Sequence, residues 1–116
     1  MSQHIVSLTS EISGDSVWIQ LGWDKPLSEF YMVVFENVPD ASYYDEGRVI
    51  YSNDLDPTGS GQDLTYLKGI ATKLGCVVPQ SLWDAAAHDK ALNAVNRTVF
   101  YSDVGDQIES PWPESD

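Results

Sequence analysis

Between Val17 and Phe35 the chain reads VWIQLGWDKPLSEFYMVVF, two apolar runs separated by a short polar segment. In the first run Val17, Ile19, Leu21 and Trp23 recur at every second position, the repeat of a strand that buries one face. The second run, Phe30 to Phe35, is apolar throughout and rich in β-branched and aromatic side chains. That predicts an inner strand covered on both faces. Asp24-Lys25-Pro26 interrupts the pattern between them. Such a hairpin commits the chain to a sheet, because a shift of one residue would turn every apolar side chain of the first run to the wrong face.

The rest of the chain reads as additions to that hairpin. His4 to Ile12 puts Val6, Leu8 and Ile12 on one face with Ser and Thr opposite, a first strand closed by the Ser13-Gly14-Asp15 turn. Arg48 to Ser52 is a short fourth strand, reached through the loop Asn37 to Gly47 and left through the turn-rich NDLDPTGSGQD. From Leu64 the repeat becomes helical, with Leu64, Leu67, Ile70, Ala71 and Leu74 on one side, Asp63 as N-cap and Gly75 just past the end. Pro79 opens a second helix with an apolar stripe of Leu82, Ala85, Ala86, Leu92 and Val95. Thr98 to Ser102 is the last strand. The expected fold is α+β: an antiparallel sheet of about five strands, in the order β-β-β-β-α-α-β, with two helices packed on one face. Residues 1–103 form a single domain, followed by an acidic, proline-containing tail over 104–116, irregular unless Ile108 or Trp112 pins it.

A chain of 116 residues buries roughly two-thirds of the surface its unfolded form exposes, enough for one core. Its 42% hydrophobic content excludes a disordered chain. No apolar run approaches the ~20 residues of a membrane-spanning helix. The start, MSQHIVSLTSE, lacks a basic segment followed by an apolar one, so a cytoplasmic location is expected. Cys76, the single cysteine, has no internal disulfide partner, in keeping with a reducing compartment.

Eighteen acidic residues against six basic ones give a net charge of −12. Such a surface repels free nucleic acid and anionic membranes, and it attracts a basic partner while accelerating its association. The competing explanation is solubility alone. The charge is also unevenly spread. Glu36, Asp40, Asp45, Glu46, Asp54 and Asp56 come from two loops that a meander is expected to bring to one end or edge. Asp103, Asp106, Glu109, Glu114 and Asp116 lie in the tail region, whereas Lys68, Lys73, Lys90 and Arg97 lie in or just after the helices.

Signatures of catalysis and metal binding are weak. Asp54 to Gly59 begins like a calcium loop, but Gly61 and Thr65 stand where an apolar residue and a bidentate Glu belong, and a strand precedes it. A turn-rich loop explains it better, and no metal or cofactor is expected. Cys76 sits in an apolar connector, as a buried structural thiol does. His88 follows Asp84 by four residues, a spacing that orients a catalytic imidazole or merely pairs two exposed side chains. His4 has no partner visible in sequence. Phosphate-loop and nucleophile-elbow motifs are absent. Trp18, out of phase with Ile19 and Leu21, together with Tyr31, Tyr43 and Tyr44, is expected to be partly exposed, as anchors of an interface or as cover for a second sheet face.

The pieces WIQLGWDKPLSEFYMVVF, VIYSNDLDP, YLKGIATKLGCVVP and DKALNAVNRTV, spread over residues 17 to 99, resemble small acidic proteins carried on bacterial plasmids and integrative elements. That resemblance implies a mobile-element context, in which small acidic proteins act as inhibitors, anti-CRISPR and immunity proteins among them. It transfers no functional residue.

The function expected is a non-enzymatic binding protein that blocks a basic, nucleic-acid-handling partner protein, with no direct contact to nucleic acid or membrane. The partner-binding residues expected are Asp40, Asp45, Glu46, Asp54 and Asp56, with Tyr43 and Tyr44 as anchors. The alternatives are an immunity protein for a cognate toxin, a small enzyme or ligand-binding protein, and an accessory role in conjugation. An exposed edge strand would also let two copies pair as a homodimer through one continuous sheet.

Overall fold

Strands β1 (Ser2–Thr9), β2 (Ser16–Asp24), β3 (Glu29–Glu36) and β4 (Val49–Ser52) follow one another as an antiparallel meander. The computed structural model describes residues 2–37, 49–53, 55–58, 63–92 and 97–108. Helices α1 (Leu64–Lys73) and α2 (Gln80–Leu92) come next, and β5 (Arg97–Tyr101) returns to lie parallel to β1. A short β6 (Gln107–Ile108) pairs with β5, so the sheet has six strands in the order β4-β3-β2-β1-β5-β6. The α+β class and the helical layer agree with the expectation. The additional strand lies where the acidic tail was expected to be irregular, with Ile108 opposite Phe100.

The two apolar patterns of the central hairpin end up where their repeats predict. Val17, Ile19, Leu21 and Trp23 join Phe30, Met32 and Val34 in the core on the helix side, where Leu67, Ala71, Leu82, Trp83 and Ala86 meet them. Fully burying a side chain such as Ile19 or Leu82 favours folding by about 1.5–3 kcal/mol relative to leaving it in water. On the opposite face Ile5, Trp18 and Phe35 form a second cluster, flanked by Val33 and Phe100. Trp18 and Tyr31 are therefore buried, which corrects the expectation of partial exposure, and Trp18 covers the second sheet face, as the alternative reading had it. Trp18 stands opposite Phe35 across the β2–β3 pair, and Tyr31 donates its hydroxyl to the Ser2 carbonyl at 2.6 Å. Gly22 makes room for that approach: a Cβ there would lie 2.1 Å from the Ser2 carbonyl oxygen.

Local capping chemistry accounts for both ends of α1. The Asp63 carboxylate accepts from the Tyr66 amide at 3.0 Å. At the far end the Cys76 amide donates to Ala71 and the Gly75 amide to Thr72, with Gly75 at φ 76, a Schellman closure that only glycine enters without strain. The same glycine is pressed against the β1–β2 turn. Glu11 donates its amide to the Gly75 carbonyl, and the Ser10 hydroxyl donates to Leu74 at 2.6 Å. Ile12, expected in the first strand, is consequently in the turn and 71% exposed.

On α2 the buried residues are Leu82, Trp83, Ala86 and Asp89. Leu92, expected in the stripe, is exposed. At 3.6 residues per turn it points about 80° away from Leu82. Val95 lies outside the described residues. No helix among the described residues is long and apolar enough to cross a membrane.

Candidate functional site

An antiparallel meander alternates its connections between the two ends of the sheet, and this decides where the charges gather. β1 ends beside the start of β2, with Thr9 opposite Ser16, and β3 ends with Glu36 opposite Val17. β5 runs parallel to β1, so its turn to β6 lies at this end too. Glu11 and Asp15 in the first turn, Glu36, and Asp103 and Asp106 in the last turn therefore share one end of the sheet, all exposed. Glu11 and Asp103 line a common cleft with Ser7, Thr9, Ser16 and Val77. Lys73 and Lys68 border this region, sharing clefts with Asp15 and Glu11 respectively.

Of the expected partner-binding residues, Asp40, Tyr43, Tyr44, Asp45, Glu46 and Asp54 lie outside the described residues. Asn37 and Val49, which flank the first of the two loops, stand at the acidic end. The second loop departs from Ser52, at the other end of β4, with the Asn53 amide bonded to the Met32 carbonyl. Of the expectation that both loops meet at one end or edge, the shared end is therefore corrected, because consecutive connections of a meander depart from opposite ends, whereas both loops adjoin β4, an edge strand of the sheet.

Asp56 is described, and its carboxylate is engaged within the fold. Oδ2 accepts from the Tyr51 hydroxyl at 2.8 Å and from the Tyr66 hydroxyl at 2.7 Å. Oδ1 accepts from the amide and the hydroxyl of Thr58, both at 3.0 Å. The Tyr66 bond, aided by the Thr58 amide and Tyr51, holds the Asp56 carboxyl down at about 2. Burial, together with the ionised Asp56 beside it, pushes the Tyr51 phenol well above its ordinary value. The cluster clasps β4, the loop and α1 together, and it leaves neither Asp56 oxygen undonated. At the start of this loop Asn53 is buried, with Oδ1 accepting from the Met32 amide. Among the described residues no group of three or more His, Cys, Asp or Glu side chains is arranged to hold a metal ion.

The other polar cluster was not anticipated. His4 is fully buried between two partners, Nε2 at 2.6 Å from Asp89 Oδ2 and Nδ1 at 2.8 Å from the Tyr101 hydroxyl. Asp89 is equally inaccessible. The cluster joins β1, α2 and β5 across the core. It has the composition of a catalytic relay, but His4 and Asp89 are fully buried and Tyr101 is only 4% exposed, so within the fold it ties three elements together. The expected Asp84–His88 relation does not form: Asp84 accepts from the Gln80 side chain at 2.9 Å, and His88 is exposed. One signal for the tie is present in sequence. His4 shares the alternation of Val6 and Leu8, and Asp89 follows Leu82 and Ala86 by seven and three residues, so each is a polar residue in an apolar phase.

Cys76 is buried, and burial pushes its thiol up, the opposite of what an attacking thiolate needs. No protein-family model matches the chain, and neither a curated protein nor a solved structure matches it.

Proposed function

We propose that this protein is a non-enzymatic acidic binder that occupies a basic site on a nucleic-acid-handling partner protein, in the manner of an anti-CRISPR or DNA-mimic inhibitor. The observation that carries this reading is the gathering of Glu11, Asp15, Glu36, Asp103 and Asp106 at one end of the sheet, on a chain of net charge −12. Carboxylates presented together on strand-end turns meet lysines and arginines as phosphates do, and they steer encounter before any contact forms. In the sequence, Asp40, Asp45 and Glu46 fall between Asn37 and Val49, two described residues that stand at that same end.

The test is affinity purification with the whole chain, identification of the captured protein, and stopped-flow association over a salt series. Replacing Glu11, Asp15, Glu36, Asp103 and Asp106 by their amides is expected to lower the association rate about tenfold or more at low salt and to flatten its salt dependence. An unchanged rate and slope would sink the proposal. Capture of a toxin enzyme would favour the immunity reading instead.

A further inference from the structure

The sheet has two unlike edges. β6 is two residues long, whereas β4 presents the sequence VIYS with no lysine, proline or other charge to discourage pairing. Among the described residues β4 has one neighbouring strand, β3, and the pairing is bulged between Val34 and Phe35. Val49 is opposite Phe35 and Tyr51 opposite Val34, so Ile50 is the extra residue. Val49 and Ile50 are 44% and 38% exposed, and Leu55 just beyond is 77% exposed. Ile50 lines two clefts. One contains Ile12, Asp15, Val34, Lys73 and Leu74, the other Val49, Tyr51, Leu55 and Asp56.

We infer that β4 is the place where an extended, basic segment of the partner protein adds to the sheet as a further strand, its apolar residues against Val49, Ile50 and Leu55. The inference rests on the proposed function for the basic character of the partner. An extended chain suits the site because an edge strand supplies backbone hydrogen bonds along its length while alternate side chains enter the flanking clefts. The charge selects which chain. A second copy of this protein would bring −12 against −12, whereas a segment carrying lysines is drawn in. Asp15 stands in one cleft with Lys73 beside it, and Asp56 lends its negative charge to the other while both its oxygens stay bonded within the fold.

The experiment is amide hydrogen exchange on the full chain with a synthetic peptide of alternating lysine and valine as the probe. The expected result is slowed exchange at Val49, Ile50 and Tyr51 with none at Gln107 and Ile108, and an affinity reduced about tenfold by Ile50→Lys. Leu55→Lys, at a more exposed position, gives the same reading should Ile50→Lys fail to fold. Absence of slowed exchange at β4 overturns the inference, even where the natural partner's association remains steered by charge. Equal protection by a glutamate–valine peptide overturns the basic occupant. Protection of the same amides by self-association without peptide makes the occupant a second copy and overturns it too.

Discussion

Asp56 and Asp89 are both single acids in polar-looking contexts, yet they serve this protein in opposite surroundings. Asp56 lies on a half-exposed loop and collects hydroxyl and amide donors from Tyr51, Tyr66 and Thr58. Asp89 is wholly inside and faces the imidazole of His4, itself held by Tyr101. Water remains available to the first carboxylate if its donors are lost, and is unavailable to the second. A carboxylate's worth to a fold is therefore set less by the quality of its bonds than by what replaces them when they break.

The largest expected effect breaks the inner tie. Asp89→Ala leaves His4 buried without its carboxylate and is expected to cost about 3–5 kcal/mol in urea unfolding, enough to threaten folding altogether. Replacing both His4 and Asp89 by leucine should restore most of that loss. If the single and double variants were equally unstable, the two residues would not be acting as a pair.

Next in size is the contact that lets β1 sit against the hairpin. Gly22→Ala places a methyl group onto the Ser2 carbonyl and is expected to cost about 1–3 kcal/mol by the same measurement, as over-packing does. A variant as stable as the parent would mean that the start of β1 is free to move aside.

The outer clasp is sharpened by pH. The folded carboxyl of Asp56 sits at about 2 against an ordinary 3.8, so its contribution is fully present above about 4 and is lost as pH falls through 2. Melting temperatures of the parent and Asp56→Asn should differ by a constant amount at neutral pH and converge over that acid window. Curves that stay parallel down to pH 2 would show that the carboxylate's charge is irrelevant to the clasp. The smallest expected effect is at the acidic end. Replacing Glu11, Asp15, Glu36, Asp103 and Asp106 by amides should change stability by no more than about 0.5 kcal/mol per site, with partner association as the quantity that moves.

Much of the architecture is legible before any coordinates, and for a common reason. Asp63 capping α1, Gly75 closing it, and the alternation through Val17 to Trp23 all involve groups within a few residues of one another. The His4–Asp89 pair spans 85 residues of chain, and nothing near either residue names the other. The expected Asp84–His88 pair was the local alternative, and α2 turns its buried face toward Asp89 instead. Trp18 and Tyr31 were misjudged because a single strand's alternation cannot say whether its second face is covered. Neighbouring strands had to bring Ile5 and Phe35 beside Trp18 before that face became apolar.

The two ends of α1 and the helix-facing alternation of β2 were determined by the linear order of residues alone, since backbone capping and side-chain alternation act over a turn or a strand. The tertiary structure alone decided which end of the sheet each acidic turn occupies, that Asp89 meets His4 rather than solvent, and that β4 is left at an edge. Those outcomes depend on the direction in which each strand is laid beside its neighbour, a choice made by packing across the whole domain.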